Sequence, residues 1–311
     1  MKINQLNISF DKIKVLYLFI LAIVFGVFLI LAFLNIQIKK QISSIDVYES
    51  PVSFVPQKFP VLSNVYEPFL SAQSSIILDK NSQTVLFEKN STLRFPPAST
   101  TKIMTALVAL EYYKPDDVLT IKQANVEGSG IGFKVGEKFT FESLFYAMLL
   151  PSANDATQAI AQNYPGGIAA FVDRMNQKAK ELNLYNSFYA DPIGLDDNKD
   201  FTTSLDLARL TSVALNNSYF AKAVSTRNRE IADLSGQKFS LENLNKLLGM
   251  PGVNGVKTGT TQGAGQVLVT SRTIGDQDLI FVVMQSQDRF SDTQTLFNYL
   301  ENNLTYLSIH P

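Results

Sequence analysis

From Val15 to Leu34 the chain carries no charged residue, and lysines bracket the run: Lys12 and Lys14 before it, Lys39 and Lys40 after it. A helix of about 20 residues rising ~1.5 Å per residue spans ~30 Å, the hydrocarbon thickness of a bilayer. A cleaved signal peptide is the competing account, but its apolar region is typically about 7–15 residues. Nor does Asn35-Ile36-Gln37-Ile38-Lys39-Lys40 offer the small residues that a cleavage site needs. The pattern predicts a short cytoplasmic N-terminus at 1–14, a transmembrane anchor at 15–38, a juxtamembrane linker at 39–73 and one large domain at 74–311. Lys2, Lys12 and Lys14 slightly outnumber Lys39 and Lys40, which places the N-terminus inside and the large domain outside the cell membrane, as a single-pass protein.

The chemistry open to the domain is narrow. The chain has no cysteine and a single histidine, His310 beside the C-terminus. A cysteine hydrolase, a histidine-assisted serine hydrolase and a histidine-ligated metal site are therefore all close to excluded. With 27 Lys+Arg against 28 Asp+Glu, no basic footprint for nucleic acid exists. Nucleophilic chemistry here needs a serine whose base is a lysine.

Residues 41 to 72 mix Pro51, Pro56, Pro60 and Pro68 with serines and aromatics and read as a tether. Ser75–Asp79 and Thr84–Glu88 read as a hairpin around Lys80-Asn81-Ser82-Gln83. Helical spacing is predicted at Ser99–Tyr113, Phe141–Leu150, Asp155–Gln162, Ile168–Leu182, Leu205–Leu215 and Thr293–Asn303. Short strands are expected at Gly255–Gly259, Gly265–Thr273 and Leu279–Gln285. The simplest account is one α/β domain with a helical part inserted between β segments.

Three strings in fixed order could carry chemistry: Ser99-Thr100-Thr101-Lys102, Ser152-Ala153-Asn154 and Lys257-Thr258-Gly259. Ser-x-x-Lys alone is weak, since Ser9/Lys12 and Ser235/Lys238 repeat it. Ser99 differs in opening a buried helix, where residues i and i+3 lie on one face, roughly 5–6 Å apart at Cβ. Lys102 can then reach the Ser99 hydroxyl, and burial with a second cation, Lys257, could lower its pKa enough to free a lone pair. Taken singly, Ser99 reads equally as a helix cap, Ser152-Ala153-Asn154 as a turn after Pro151, and Lys257-Thr258-Gly259 as a strand ending in a turn.

Together these strings resemble the penicillin-binding protein and serine β-lactamase superfamily, and most closely its low-molecular-mass D-alanyl-D-alanine carboxypeptidases. Pro97 to Ala106, Asp191 to Leu195, Ser204 to Leu210 and Pro251 to Gly265 add to the likeness, which covers about residues 74 to 302. The resemblance implies an antiparallel sheet flanked by helices with a helical insert, so that 74–311 is a DD-peptidase catalytic domain. It implies Ser99 as nucleophile, Lys102 as general base and Ser152 as proton relay. It implies Asn154 holding the substrate amide, Lys257 shaping a positive field, and Thr258 and Thr260 gripping the terminal carboxylate beside Gly259. Backbone N–H groups of Ser99 and Thr260 would form the oxyanion hole. The implied partners are a peptidoglycan stem peptide ending in D-Ala-D-Ala and β-lactams as covalent inhibitors, with no metal or organic cofactor.

Two departures stand out. Ile193 replaces a histidine common in relatives, and Asp278 stands where some carry an arginine that helps hold the carboxylate, leaving Arg272 as a weak substitute. A D-alanyl-D-alanine endopeptidase would use the same residues. A common-class β-lactamase would need Glu-x-x-Leu-Asn, which Glu242-Asn243-Leu244-Asn245 misses by one residue, and Ser-Asp-Asn at the second string. A catalytically silent wall-binding module would not need this full set intact.

Overall fold

The computed structural model describes residues 10–43, 57–63, 66–124, 126–195, 198–301 and 303–309. Its contacts divide the chain into two units, one up to Val55 and the other from Pro56 to His310. In the first, Phe10–Ser43 forms a single helix, α1. Its stretch Lys14–Lys40 is long and apolar enough to cross a membrane, and none of that stretch is buried. The helix outruns the expected 15–38 at both ends, because Lys12, Lys14, Lys39 and Lys40 are good helix formers and neither flank carries a proline or glycine to break the ladder.

The second unit is built on five strands: β2 (Ser74–Asp79), β3 (Val85–Lys89), β8 (Val253–Thr261), β9 (Gly265–Ile274) and β10 (Gln277–Ser286). They form one antiparallel sheet in the order β3-β2-β10-β9-β8. The expected hairpin is the β2–β3 pair. Strand side chains alternate between faces, and here both faces are covered. Ile76, Leu78, Val267, Val269, Ile280, Val282 and Met284 join a large core with the helices. Ile77, Leu268, Leu279, Phe281 and Val283 join a second core with the C-terminal helix α8 (Arg289–Glu301). That is why β10 reads as a continuous apolar run rather than an alternating one.

The helical insert holds α2 (Lys102–Tyr112), α3 (Phe141–Leu149), α4 (Asn154–Asn163), α5 (Gly167–Glu181), α6 (Ser204–Ala214) and α7 (Ser218–Ser225). Local chemistry sets several starts. The Thr140 hydroxyl accepts the Ser143 N–H at 3.2 Å to cap α3, and that of Thr203 accepts the Asp206 N–H at 3.0 Å to cap α6. Two short ribbons also lie in this region: β4 (Val118–Thr120) with β5 (Lys138–Thr140), and β6 (Asn228–Ala232) with β7 (Lys238–Glu242).

Three expectations are corrected. The linker does not extend to residue 73: β1 (Gln57–Leu62) pairs with β11 (Leu304–Ile309), in register from Gln57↔Ile309 to Leu62↔Leu304. This second compact unit therefore begins nearer residue 56 than 74. The last helix begins at Arg289 rather than Thr293, because the Asp288 carboxylate caps it by accepting the N–H groups of Phe290 and Ser291, both at 3.1 Å. And Ser99 lies not in the α-helix but in a 3-10 turn, Ala98–Thr101, that leads into it.

Candidate active site

The Ser99 turn is fixed by its neighbours. Ala98 is fully buried with φ of +49°, a left-handed conformation that costs a non-glycine residue about 1 kcal/mol or more and persists only where packing enforces it. Two glycines make room for it. A Cβ on Gly194 would stand 2.0 Å from the Ala98 carbonyl oxygen, and one on Gly259 only 3.1 Å from the Ser99 nitrogen. The β8 backbone thus passes directly against the serine turn.

Lys102, the first residue of α2, is fully buried beneath Ser99. Its Nζ donates to Ser99 Oγ at 2.9 Å, Asn154 Oδ1 at 2.7 Å, Ser152 Oγ at 3.4 Å and the Ile193 carbonyl at 3.5 Å. All four acceptors are neutral. Burial pushes the amine down to about 7, against the opposing pull of the Asp191 and Asp155 carboxylates. Burial is the largest cause of that lowering. Lys257, buried on β8 with its Nζ donating to its neighbour Thr258 O at 3.0 Å, is held well below the usual lysine range by burial first, then by the charges of Lys102 and Arg289.

Ser152 sits at the α3–α4 break with φ of +62°, also buried. Asn154 begins α4. Its Oδ1 accepts from Lys102 while its Nδ2 donates to the Glu127 carbonyl at 2.6 Å, and its backbone N–H donates to Ser129 O at 2.6 Å. The next residue, Asp155, is a member that the three strings did not reveal. Its Oδ2 accepts the N–H groups of Ile131, Gly132 and Phe133 at 3.0, 2.9 and 3.3 Å, which moors the 126–133 loop over Asn154.

The second unforeseen residue is Arg289, at the start of α8. Its Nη1 donates to Gly259 O at 2.8 Å and to Thr260 Oγ1 at 2.7 Å, and its buried Nε has no acceptor among the described residues. Neither Arg272 nor Asp278 takes this place. Arg272 donates to Pro251 O and pairs with Glu301 at 3.2 Å, while Asp278 pairs with Lys80 at 3.5 Å and accepts from Thr273 at 2.7 Å. Both lie at the opposite end of the sheet, because Arg272 is in register with Val253 and Asp278 with Thr273. Ile193 contributes through its backbone, its side chain being in the interior.

So Lys102 gathers Ser99, Ser152 and Asn154 around one nitrogen, and Lys257, Thr258, Gly259 and Thr260 line the adjoining strand. A family model of D-alanyl-D-alanine carboxypeptidases, peptidase S11, matches residues 62–288, which hold every one of these residues. The chain belongs to the peptidase S11 family. It is 32% identical over 248 residues to the D-alanyl-D-alanine carboxypeptidase DacF of Bacillus subtilis, covering 77% of this chain and 64% of DacF. The chain thus spans just under two thirds of that relative. To a D-alanyl-D-alanine endopeptidase of Pseudomonas aeruginosa it is 32% identical over 242 residues, 75% of this chain and 78% of the relative. Among solved structures, the crystal structure of the Streptomyces K15 DD-transpeptidase superposes with a TM-score of 0.71 at 31% identity, covering 76% of this chain and 98% of its own. The α/β fold with its antiparallel sheet is that of this transpeptidase.

Proposed function

We propose that this S11 member is a serine D-Ala-D-Ala carboxypeptidase that removes the terminal D-alanine of peptidoglycan stem peptides. The observation that carries the reading is the fully buried Lys102 amine, 2.9 Å from Ser99 Oγ, which burial pushes down to about 7. At neutral pH a large fraction of it is uncharged, with a lone pair directed at the hydroxyl proton. Ser99 Oγ attacks the carbonyl between the two D-alanines as Lys102 takes that proton. The oxyanion meets the backbone N–H groups of Ser99 and Thr260, donors worth about 3–4 kcal/mol each in comparable sites. Collapse breaks the C–N bond, and the proton passes from Lys102 by way of Ser152 to the departing amine. Water then enters by the reverse sequence, releases the shortened peptide and restores Ser99.

β8 is an edge strand, so an extended peptide can pair along it. At its end the Arg289 guanidinium and the Thr260 hydroxyl supply the positive, donor-rich seat that a terminal carboxylate needs. Asn154 Nδ2 has a second hydrogen to offer a substrate carbonyl. The same serine would be acylated by β-lactams. Anchorage through α1, with the catalytic unit outside the cell membrane, is supported by the helix length and the lysine balance across it.

The test uses the full chain in detergent micelles with a D-Ala-D-Ala peptide and a fluorescent penicillin. Free D-alanine and a covalent label, both lost in Ser99→Ala, support the reading. Release of D-alanine unchanged in Ser99→Ala would overturn it. Cleavage confined to crosslinked peptide dimers would favour the endopeptidase activity for which the Pseudomonas relative is named.

A further inference from the structure

The backbone that carries Arg289 is held from outside the site. Arg289 opens α8 directly after the turn from β10, and that turn is gripped from three directions. Asp292, almost fully buried one turn into α8, accepts four hydrogen bonds: from Ser71 N–H at 2.8 Å, Ser71 Oγ at 2.7 Å, Ala72 N–H at 2.8 Å and Ser286 Oγ at 2.5 Å. Ser71 Oγ in turn accepts the N–H groups of Gln287 at 3.1 Å and Asp288 at 3.4 Å. From β9, Gln266 donates to Gln287 O at 2.7 Å and accepts the Arg289 N–H at 3.4 Å. Ser71 belongs to the segment entering β2, and Asp292 stands 221 residues further along the chain.

A buried carboxylate with four donors and no cation among them is a costly way to close a turn unless the position of that turn matters. The residue it places is Arg289, whose guanidinium bridges Gly259 O and Thr260 Oγ1 and keeps Nε without an acceptor among the described residues. We infer that the Ser71–Asp292 clasp is a positioning device for Arg289, setting how well the enzyme binds the free terminal carboxylate of its substrate. The inference rests on the carboxypeptidase reading above. It assigns Ser71 and Asp292 no contact with substrate. Their influence passes through the β10–α8 turn to the guanidinium, and from there to Thr260.

The experiment compares an acyl-D-Ala-D-Ala peptide with its C-terminal amide, in the parent chain, Ser71→Ala, Arg289→Ala and the double variant, with melting temperatures measured alongside. If the clasp acts through Arg289, Ser71→Ala raises KM for the free acid about 3- to 10-fold, holds kcat within about 2-fold and leaves the amide unaffected. Added to Arg289→Ala it changes KM by less than about 2-fold, since coupled residues are non-additive. Asp292→Asn, which keeps one acceptor oxygen, should give the same pattern more weakly than loss of the carboxylate altogether. Equal losses on acid and amide, or a Ser71→Ala effect that persists in full without Arg289, would make the clasp a purely structural brace. So would silence of both Ser71→Ala and Asp292→Asn in folded protein. If Arg289→Ala itself failed to distinguish acid from amide, the carboxylate seat would fall first and the clasp with it.

Discussion

Two groups of cations in this molecule have opposite surroundings. On the surface, between α2 and α5, Arg174 and Lys178 share Glu111 and Glu181. Arg174 pairs with Glu111 at 2.7 Å and Glu181 at 2.5 Å, and Lys178 pairs with Glu181 at 2.9 Å and also with Glu111. Hydrogen bonds from Arg174 and then Lys178 hold the Glu181 carboxyl down at about 2, and the two carboxylates raise Lys178 despite some burial. In the site, Lys102 donates to two hydroxyls, an amide oxygen and a carbonyl, and it falls to about 7. The same ammonium becomes a permanent charge when carboxylates face it. It becomes a proton acceptor when neutral oxygens face it in a dry pocket.

Removing the site amine should have the largest effect. Lys102→Ala is expected to slow acylation by fluorescent penicillin about 10²–10⁴-fold, the range for a lost general base, in a stopped-flow assay. A rate within about tenfold of the parent would erase the distinction between the two cation groups.

Next comes stability. The folded value of Lys102, about 7, lies below its ordinary 10.5, so between those values the unfolded chain binds more protons and stability rises with pH. The penalty is at full size below about pH 7 and fades as the pH approaches 10.5. Lys102→Met should therefore be more stable than the parent at about pH 6 by roughly 2–4 kcal/mol in denaturant melts, an advantage that shrinks toward about pH 10. An advantage that grows with pH would reverse the sign.

A smaller effect is expected at Asp155, whose charge raises Lys102. The acid limb of parent acylation should lie near pH 7, the value of the amine, and Asp155→Asn should move it about half a unit to one unit lower, whatever happens to the plateau rate. A limb that stays in place would reduce Asp155 to a mooring for its loop. Smallest of all, Glu181→Gln should leave the acylation rate and its pH limb untouched. Any loss of thermal stability there should fade with added salt, as for other exposed pairs.

The comparison also marks what the sequence made legible. The central strands announced themselves because both faces of β2, β9 and β10 are covered, and the three strings fell on turn, helix start and edge strand. Strands β6 and β7 did not. Asn228–Ala232 and Lys238–Glu242 each bury one residue deeply and leave three exposed, so no continuous apolar face marks them in the sequence. Pairing of β1 with β11 joins the two ends of the second compact unit, and no local pattern encodes it. Arg289 was hidden for a related reason. Thr260, Gln266 and Ser286 lie in one cross-strand row, so the residue three positions past Ser286 returns to the end of β8. Only the register reveals that, and Arg272 and Asp278, nearer in sequence to Lys257, lie at the wrong end.

Strand β10 has one further consequence. It has a neighbouring strand on each edge and a side-chain core on each face, so its amides reach solvent only when the whole unit opens. β8, with β9 on one side only, can release its outer amides by local fluctuation. Deuterium uptake along β10 would thus keep time for global unfolding, while uptake along β8 would keep time for the groove itself, and an acylating drug should slow the second clock far more than the first.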